Sequence, residues 1–94
     1  MKKVALAIHA VQNFNLEILN SLDNLDYIHV DVMDGKFVNN TMLYLDIFKE
    51  IKEISHLPVI AHLMVENPKY FILKLINLVE IVKVFSIFFE SFHI

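Results

Sequence analysis

The stretch YIHVDV at residues 27–32 and the later stretch LPVIAHL at residues 57–63 predict the two central strands of a sheet. Both are short runs rich in β-branched and other apolar residues, which is typical of buried strands. Between them, residues 42–54 place apolar side chains at helical spacing with lysines and glutamates opposite, so they predict an amphipathic helix. A strand, a helix and a strand in this order predict two parallel strands joined by a crossover helix.

The same alternation extends to both ends of the chain. Outer strands are predicted at residues 3–8 (KVALAI) and 83–89 (KVFSIFF). Helices are predicted at residues 15–22 and 67–78, and each opens on an asparagine that can serve as its N-cap. The resulting order β-α-β-α-β-α-β predicts an α/β protein, with helices packed outside a parallel sheet.

Composition excludes several classes of protein. The 94 residues are 56% hydrophobic with a net charge of −3, which excludes intrinsic disorder and a basic nucleic-acid surface. The absence of cysteine excludes disulfides and thiolate metal sites. The apolar tract at residues 73–89 is interrupted by charged residues, and the N-terminus lacks the apolar core of an export signal. We therefore expect a cytoplasmic protein with no nucleic-acid partner and no membrane contact.

Polar side chains recur at alternate positions of the two central strands. Because side chains alternate between the faces of a strand, each strand is expected to present one set of residues on a common face. The carboxyl end of a parallel strand is also where α/β proteins bind ligands. The two sets are His29, Asp31 and Met33 on one strand, and Ile60, His62 and Met64 on the other.

Two imidazoles and a carboxylate at that edge could hold one divalent metal ion, and Zn²⁺, Fe²⁺, Mn²⁺ and Co²⁺ all suit this donor set. The alternative is a purely structural hydrogen bond between histidine and aspartate, which is the commoner outcome for one His-x-Asp on a strand. The spacing alone leaves both interpretations open. His9, at the end of the first strand, points to the same edge and is a further candidate ligand.

Two sequence motifs are more specific than the spacing of single residues. HVDVMDGKFV at residues 29–38 and AHLMVENP at residues 61–68 resemble the signature stretches of the ribulose-phosphate 3-epimerase family. Asn40 fits the asparagine that follows the first string in that family. The resemblance extends over the whole chain and is strongest at residues 27–40 and 57–70.

The resemblance implies a (β/α)₈ TIM barrel, of which residues 1–94 form the first half. It implies epimerisation between D-ribulose 5-phosphate and D-xylulose 5-phosphate in the pentose phosphate pathway, through a metal-assisted proton transfer and an enediolate. By the same resemblance His29, Asp31 and His62 bind the metal ion, and Asp31 is also one of two acid/base carboxylates. Met33 and Met64 would contact the sugar-phosphate substrate. Two opposed carboxylates suit the reaction because inversion removes a proton from one face and delivers one to the other.

The chain also departs from the family pattern. Ala7 stands where a substrate-binding serine is usual, and Phe88 stands where a histidine is usual. A complete barrel takes ~200 residues or more, so the second carboxylate and the phosphate-binding loops are expected beyond this chain. We therefore expect a truncated chain that is inactive on its own.

Three alternatives stay open at this stage. The same motifs serve epimerases of ketohexose 6-phosphates such as D-allulose 6-phosphate. The chain could instead be a non-catalytic remnant of an epimerase. Two copies could also associate as a homo-oligomer and close one barrel between them.

Overall fold

The structure is a computed structural model that describes residues 3–21, 24–84 and 90–93. None of the helices in these residues is long and apolar enough to cross a membrane. The strands are β1 (Ala5–His9), β2 (Tyr27–Asp34), β3 (Thr41–Met42), β4 (Val59–Met64), β5 (Ile81–Val84) and β6 (Glu90–His93). The helices are α1 (Ile18–Ser21), α2 (Ile47–Ile54) and α3 (Pro68–Leu75).

The described strands form one sheet in the order β1-β2-β4-β5-β6, and β3 pairs with β2 outside this path. The pairs β1–β2, β2–β4 and β4–β5 are parallel, while β3 and β6 pair antiparallel with β2 and β5. Helices α1, α2 and α3 lie in the connections between the parallel strands. The predicted α/β class and the predicted order of the parallel strands are therefore confirmed.

One face of the sheet forms the core. Alternate residues of the strands lie on this face and pack against the apolar sides of α2 and α3. The opposite face carries His29, Asp31 and His62, which are only half-buried. The buried set comprises Ile8, Ile28, Val30, Val32, Val59, Ala61, Leu63, Val82 and Val84 from the strands, and Ile47, Phe48, Ile51 and Leu75 from the helices.

The predicted helix bounds were too long. The helix predicted at residues 42–54 begins at Ile47, because Tyr44 N–H donates to the Ala10 carbonyl (2.9 Å) and holds the preceding segment against β1. Its first predicted residue, Met42, lies in β3 instead. The described part of the first helix has four residues, although the Asn15 side chain accepts from the Glu17 N–H at 3.2 Å as a cap would. Asn67, in contrast, makes no side-chain cap for α3.

The end of the chain differs most from the prediction. The fourth parallel strand starts at Ile81, two residues before the predicted start, and is described as far as Val84. The rest of that predicted strand, residues 85–89, lies outside the described residues. β6, which the sequence did not predict, pairs antiparallel with β5 along the edge that β4 leaves free. This pairing satisfies backbone groups that an edge strand exposes.

Candidate functional site

The register between β2 and β4 brings the predicted site residues together. Asp31 lies directly beside His62, and Met33 lies directly beside Met64. His29 is on the same face as Asp31 because the two are separated by one residue whose side chain, Val30, is buried on the other face. The spatial grouping predicted from the alternation of the two strands is therefore present in the structure.

Asp31 is the centre of this grouping, which we call the His-Asp cluster: His29, Asp31 and His62. Its Oδ1 atom lies 3.2 Å from His29 Nε2 and 3.1 Å from His62 Nδ1. The two imidazole rings meet edge to face, with centroids 5.1 Å apart. The three side chains are 20–27% exposed, so they are packed from the sides but open toward the free face of the sheet.

The electrostatic environment keeps His29 neutral. Burial lowers the pKa of His29 most strongly, and the negative charge of Asp31 only partly opposes this. Interactions with His62 and with the Lys83 ammonium group lower the pKa further, so the net direction is below the ordinary value of 6.5. Neutral imidazole is the form that binds metal ions, so burial prepares His29 as a ligand at pH 7.

The cluster has the donor set and the size of a metal site. One donor atom from each of the three residues lies within 4.8 Å of the other two. Two donors that each lie about 2.0–2.2 Å from one metal ion are about 2.8–3.6 Å apart at octahedral to tetrahedral angles. The observed N···O distances of 3.1 and 3.2 Å fall in that range. The cluster therefore fits a divalent ion after a small approach of the two imidazoles.

Asp34 has a structural role at the same edge of the sheet. Its Oδ1 accepts from the backbone N–H groups of Lys36 (2.8 Å) and Phe37 (2.9 Å), and its Oδ2 accepts from Glu66 N–H (2.8 Å). Burial raises the pKa of Asp34, but the hydrogen bonds outweigh it and the net direction is downward. Gly35 follows with a φ of 78°, a conformation that favours glycine. The Asp34 carboxylate thus joins the loop after β2 to the loop after β4.

A cavity of about 210 Å³ lies elsewhere, between α2 and α3 in the helix layer. Its walls carry no residue of the His-Asp cluster, which instead opens on the broad free face of the sheet. The cavity is lined by Leu45, Asp46, Lys49, Lys74, Leu75 and Leu78.

Sequence reasoning missed Lys83 as a neighbour of the cluster. Lys83 is in register with His62 and therefore shares its face of the sheet. The prediction used Lys83 only as the start of the fourth strand. The alternation of buried Val82 and Val84 with the half-buried Lys83 is the signal that places it.

A parallel α/β sheet that gathers two imidazoles and a carboxylate toward the carboxyl ends of its central strands defines an α/β protein with a candidate metal centre. Comparison with known families then identifies the group: the family model described as "Ribulose-phosphate 3 epimerase family" matches residues 3–93. The chain belongs to this family, which confirms the resemblance. The observed order of elements is compatible with the first half of the family's (β/α)₈ barrel.

Individual relatives agree with the family match. The chain is 41% identical over 54 residues to a ribulose-phosphate 3-epimerase of Helicobacter pylori, covering 57% of this chain and 25% of that protein. It is 48% identical over 48 residues to one of Methanocaldococcus jannaschii, covering 51% and 20%. A third, from Aquifex aeolicus, is 45% identical over 52 residues, covering 55% and 23%. The matches thus span a quarter or less of each relative, and no solved structure matches the chain significantly.

Proposed function

We propose that this chain carries the metal-binding and proton-transferring half of a ribulose-phosphate 3-epimerase site, acting on D-ribulose 5-phosphate and D-xylulose 5-phosphate. The observation that carries the proposal is the His-Asp cluster, in which one Asp31 oxygen lies 3.1–3.2 Å from a nitrogen of each of two histidines. The family match and the relatives' names support the reaction assigned to it.

His29, Asp31 and His62 would hold one divalent ion, and the donor set suits Zn²⁺, Fe²⁺, Mn²⁺ or Co²⁺. When bound, this ion supplies positive charge that stabilises the oxygens of the substrate as its carbon loses a proton. Lowering of the His29 pKa favours the neutral ligand form. The two histidines also fix the orientation of the Asp31 carboxylate between them.

Asp31 is assigned the proton transfer at one face of the sugar. Both histidine contacts use Oδ1, so Oδ2 is the atom assigned to receive and return the proton. Met33 and Met64 lie side by side on the strands, two residues beyond Asp31 and His62. They would form an apolar wall that keeps water from the reacting carbon without offering a competing proton.

Inversion at carbon requires a second proton donor on the opposite face of the sugar. Among the described residues, the group of side chains that could bind a metal ion contains one carboxylate, that of Asp31. We therefore expect the 94-residue chain by itself to bind a divalent ion without epimerising the substrate. Turnover of D-ribulose 5-phosphate above a metal-only control would contradict this part of the proposal.

The test is metal binding by calorimetry, with Zn²⁺ and Co²⁺ as probes. The chain is expected to bind one equivalent, and Asp31→Asn is expected to weaken binding by about tenfold or more, since second-layer changes alone cost 10–100-fold. Asp46→Asn, an exposed carboxylate beside the helix-layer cavity, is the matched control and should bind as the parent does. Equal affinity in Asp31→Asn and Asp46→Asn would overturn the proposed site.

Substrate contact is tested separately, through the methionine methyl signals in nuclear magnetic resonance. Adding D-ribulose 5-phosphate to the metal-loaded chain is expected to shift the signals of Met33 and Met64. D-allulose 6-phosphate, added in a parallel titration, distinguishes pentose from hexose recognition. Unchanged signals with both sugars would favour a non-catalytic remnant.

A further inference from the structure

Three residues on neighbouring strands form one row across the free face of the sheet. Asp31 on β2 is in register with His62 on β4, and His62 is in register with Lys83 on β5. Residues in register on parallel strands share a face, and such strands lie about 4.8 Å apart. Val82 and Val84, on either side of Lys83, are buried in the core, which places the Lys83 side chain on the free face. A carboxylate and an ammonium group therefore lie on opposite sides of His62 in this row.

The charge of Lys83 acts on the His-Asp cluster and is not neutralised there by a carboxylate. Burial is the main cause of the lowered pKa of His29, and the Lys83 ammonium group contributes to it. His29 lies on β2, two strands away from β5, so the charge of Lys83 reaches across β4 to the cluster. Among the described residues, the ion pairs of the cluster join Asp31 to the two histidines, and Lys83 forms none. A half-buried cation without an ionic partner favours the binding of an anionic group at this face.

We propose that Lys83 is a catalytic residue of the proposed epimerase reaction and that it binds the substrate oxygen that becomes negatively charged when the neighbouring carbon loses its proton. The inference rests on the proposed function and adds one residue to it. A protonated lysine donates hydrogen bonds and has no lone pair to offer a metal ion. Lys83 therefore leaves the ion open to the oxygens of the substrate.

The proton transfer creates the charge that Lys83 binds. When Asp31 takes the proton, the C–H bond of the substrate breaks and an O–H bond forms on the carboxylate. The electron pair left on the carbon forms a double bond with the neighbouring carbonyl carbon, and the carbonyl oxygen takes the negative charge. Lys83 donates an N–H hydrogen bond to this oxygen. Such a charge-assisted bond is strongest when the charge has developed, so it lowers the barrier to proton loss.

The balance of charge at the cluster also favours an anion once the ion is bound. As metal ligands the two imidazoles are neutral, and the Asp31 carboxylate and the Lys83 ammonium group offset each other. The charge of a divalent ion is then not compensated by the other groups of this row. The ion and the ammonium group also repel each other, and an anionic oxygen between them is attracted to both. Lys83 is therefore expected to strengthen the binding of an anion to the metal-loaded chain.

The experiment uses oxalate as the probe, because oxalate presents negatively charged oxygens on adjacent carbons. Oxalate is titrated into the Co²⁺-loaded chain, and the Co²⁺ absorption spectrum reports both its binding and the retention of the ion. Lys83→Gln is expected to weaken oxalate binding by about tenfold or more, because hydrogen bonds between charged groups are among the strongest. Lys83→Arg keeps the charge and is expected to retain most of the affinity. Lys49→Gln removes an exposed charge on α2 and is the matched control.

The affinity for Co²⁺, measured by calorimetry, separates this role from a structural one and from the proposed function. Lys83→Gln should bind Co²⁺ as tightly as the parent or slightly more tightly, because a repelling charge is removed. Weaker Co²⁺ binding by Lys83→Gln would indicate that Lys83 only supports the fold. Equal oxalate affinity in Lys83→Gln and Lys49→Gln, or no oxalate binding by the loaded parent, would overturn the role of Lys83 and leave the metal site intact. Failure of the parent chain to bind Co²⁺ would overturn the proposed function as well.

Discussion

The two faces of the sheet differ in almost every physical respect, although they are built from the same strands. Val30 and Ala61 on one face have no exposed surface. Asp31 and His62, one residue further along, have side chains that are 20% exposed. The first face buries apolar side chains under α2 and α3, which stabilises the fold by removing them from water. The second face places the Asp31 carboxylate and the imidazoles of His29 and His62 at an open surface.

The difference shows that successive residues of one strand can have different roles: one packs in the core and stabilises the fold, and the next lies on the opposite face and can bind a ligand. Residues on the helix-covered face can be changed only at the cost of packing, whereas His29, Asp31 and His62 on the opposite face are partly exposed. Polar replacements on the free face should therefore alter ligand binding far more than the free energy of unfolding. Three predictions test this contrast, beginning with the largest effect.

Phe48 provides the largest expected effect on stability. It lies on α2, has no exposed surface and is the largest fully buried side chain of the described core. Phe48→Ala is expected to lower the free energy of unfolding by about 3–5 kcal/mol, because it removes buried apolar surface and leaves a cavity. Asp31→Asn, on the free face, is expected to cost less, about 1.5 kcal/mol, because the amide oxygen of asparagine can still accept from both histidines and only the charge is lost. Urea unfolding of the metal-free chains measures both.

If Phe48→Ala is already unfolded without urea, a milder core variant still allows the stability losses on the two faces to be compared. Ile51, also fully buried on α2, can be replaced by valine. Ile51→Val is expected to cost about 0.5–1.5 kcal/mol and to leave Zn²⁺ affinity unchanged. A larger loss of stability in Asp31→Asn than in Phe48→Ala would contradict the division of the sheet into a stabilising face and a binding face.

Features of the fold and the site that depend on local sequence could be predicted, whereas features that depend on contacts between distant segments could not. The alternation in β2 and β4 predicted that His29, Asp31 and His62 share a face, because alternation is a local property of each strand. The start of α2 could not be predicted from Met42, since the hydrogen bond between Tyr44 and Ala10 joins distant segments. β6 was missed for the same reason, as its partner is an edge that exists only in the folded sheet.

Gly35 provides an intermediate effect at the edge where the two faces meet. Its φ of 78° costs a residue with a Cβ about 1–2 kcal/mol. A Cβ at this position would also clash with Thr41 Oγ1. Gly35→Ala is therefore expected to lower the free energy of unfolding by about 1–2 kcal/mol or slightly more, as measured by urea unfolding.

Thr41→Ala separates the two causes. It removes the Oγ1 atom that a new Cβ would meet, so Gly35→Ala in the Thr41→Ala background should show only the cost of the backbone conformation. If the double variant is as stable as Thr41→Ala alone, then the positive φ carries no cost and the loop after β2 can adopt another conformation.

Lys83 provides the smallest expected effect, and it acts on the free face. Its positive charge contributes to the lowered pKa of His29, behind burial and His62. Lys83→Gln removes that charge and is expected to raise the pKa of His29 slightly toward 6.5. Titration of the His29 ring protons by nuclear magnetic resonance, with chelator present, measures the change. Lys49→Gln, on the exposed side of α2, is the matched control and should leave the pKa unchanged.

The direction of the His29 pKa shift also determines how the stability of the chain changes with pH. Because folding lowers the pKa of His29, its neutral form contributes stability that is fully present above pH 6.5 and is lost as the pH falls through the folded value. Lys83→Gln brings the folded and unfolded values closer and so reduces this acid-induced loss. If the His29 titration is the same in Lys83→Gln and the parent, then Lys83 does not face the cluster, and the register that pairs it with His62 is wrong.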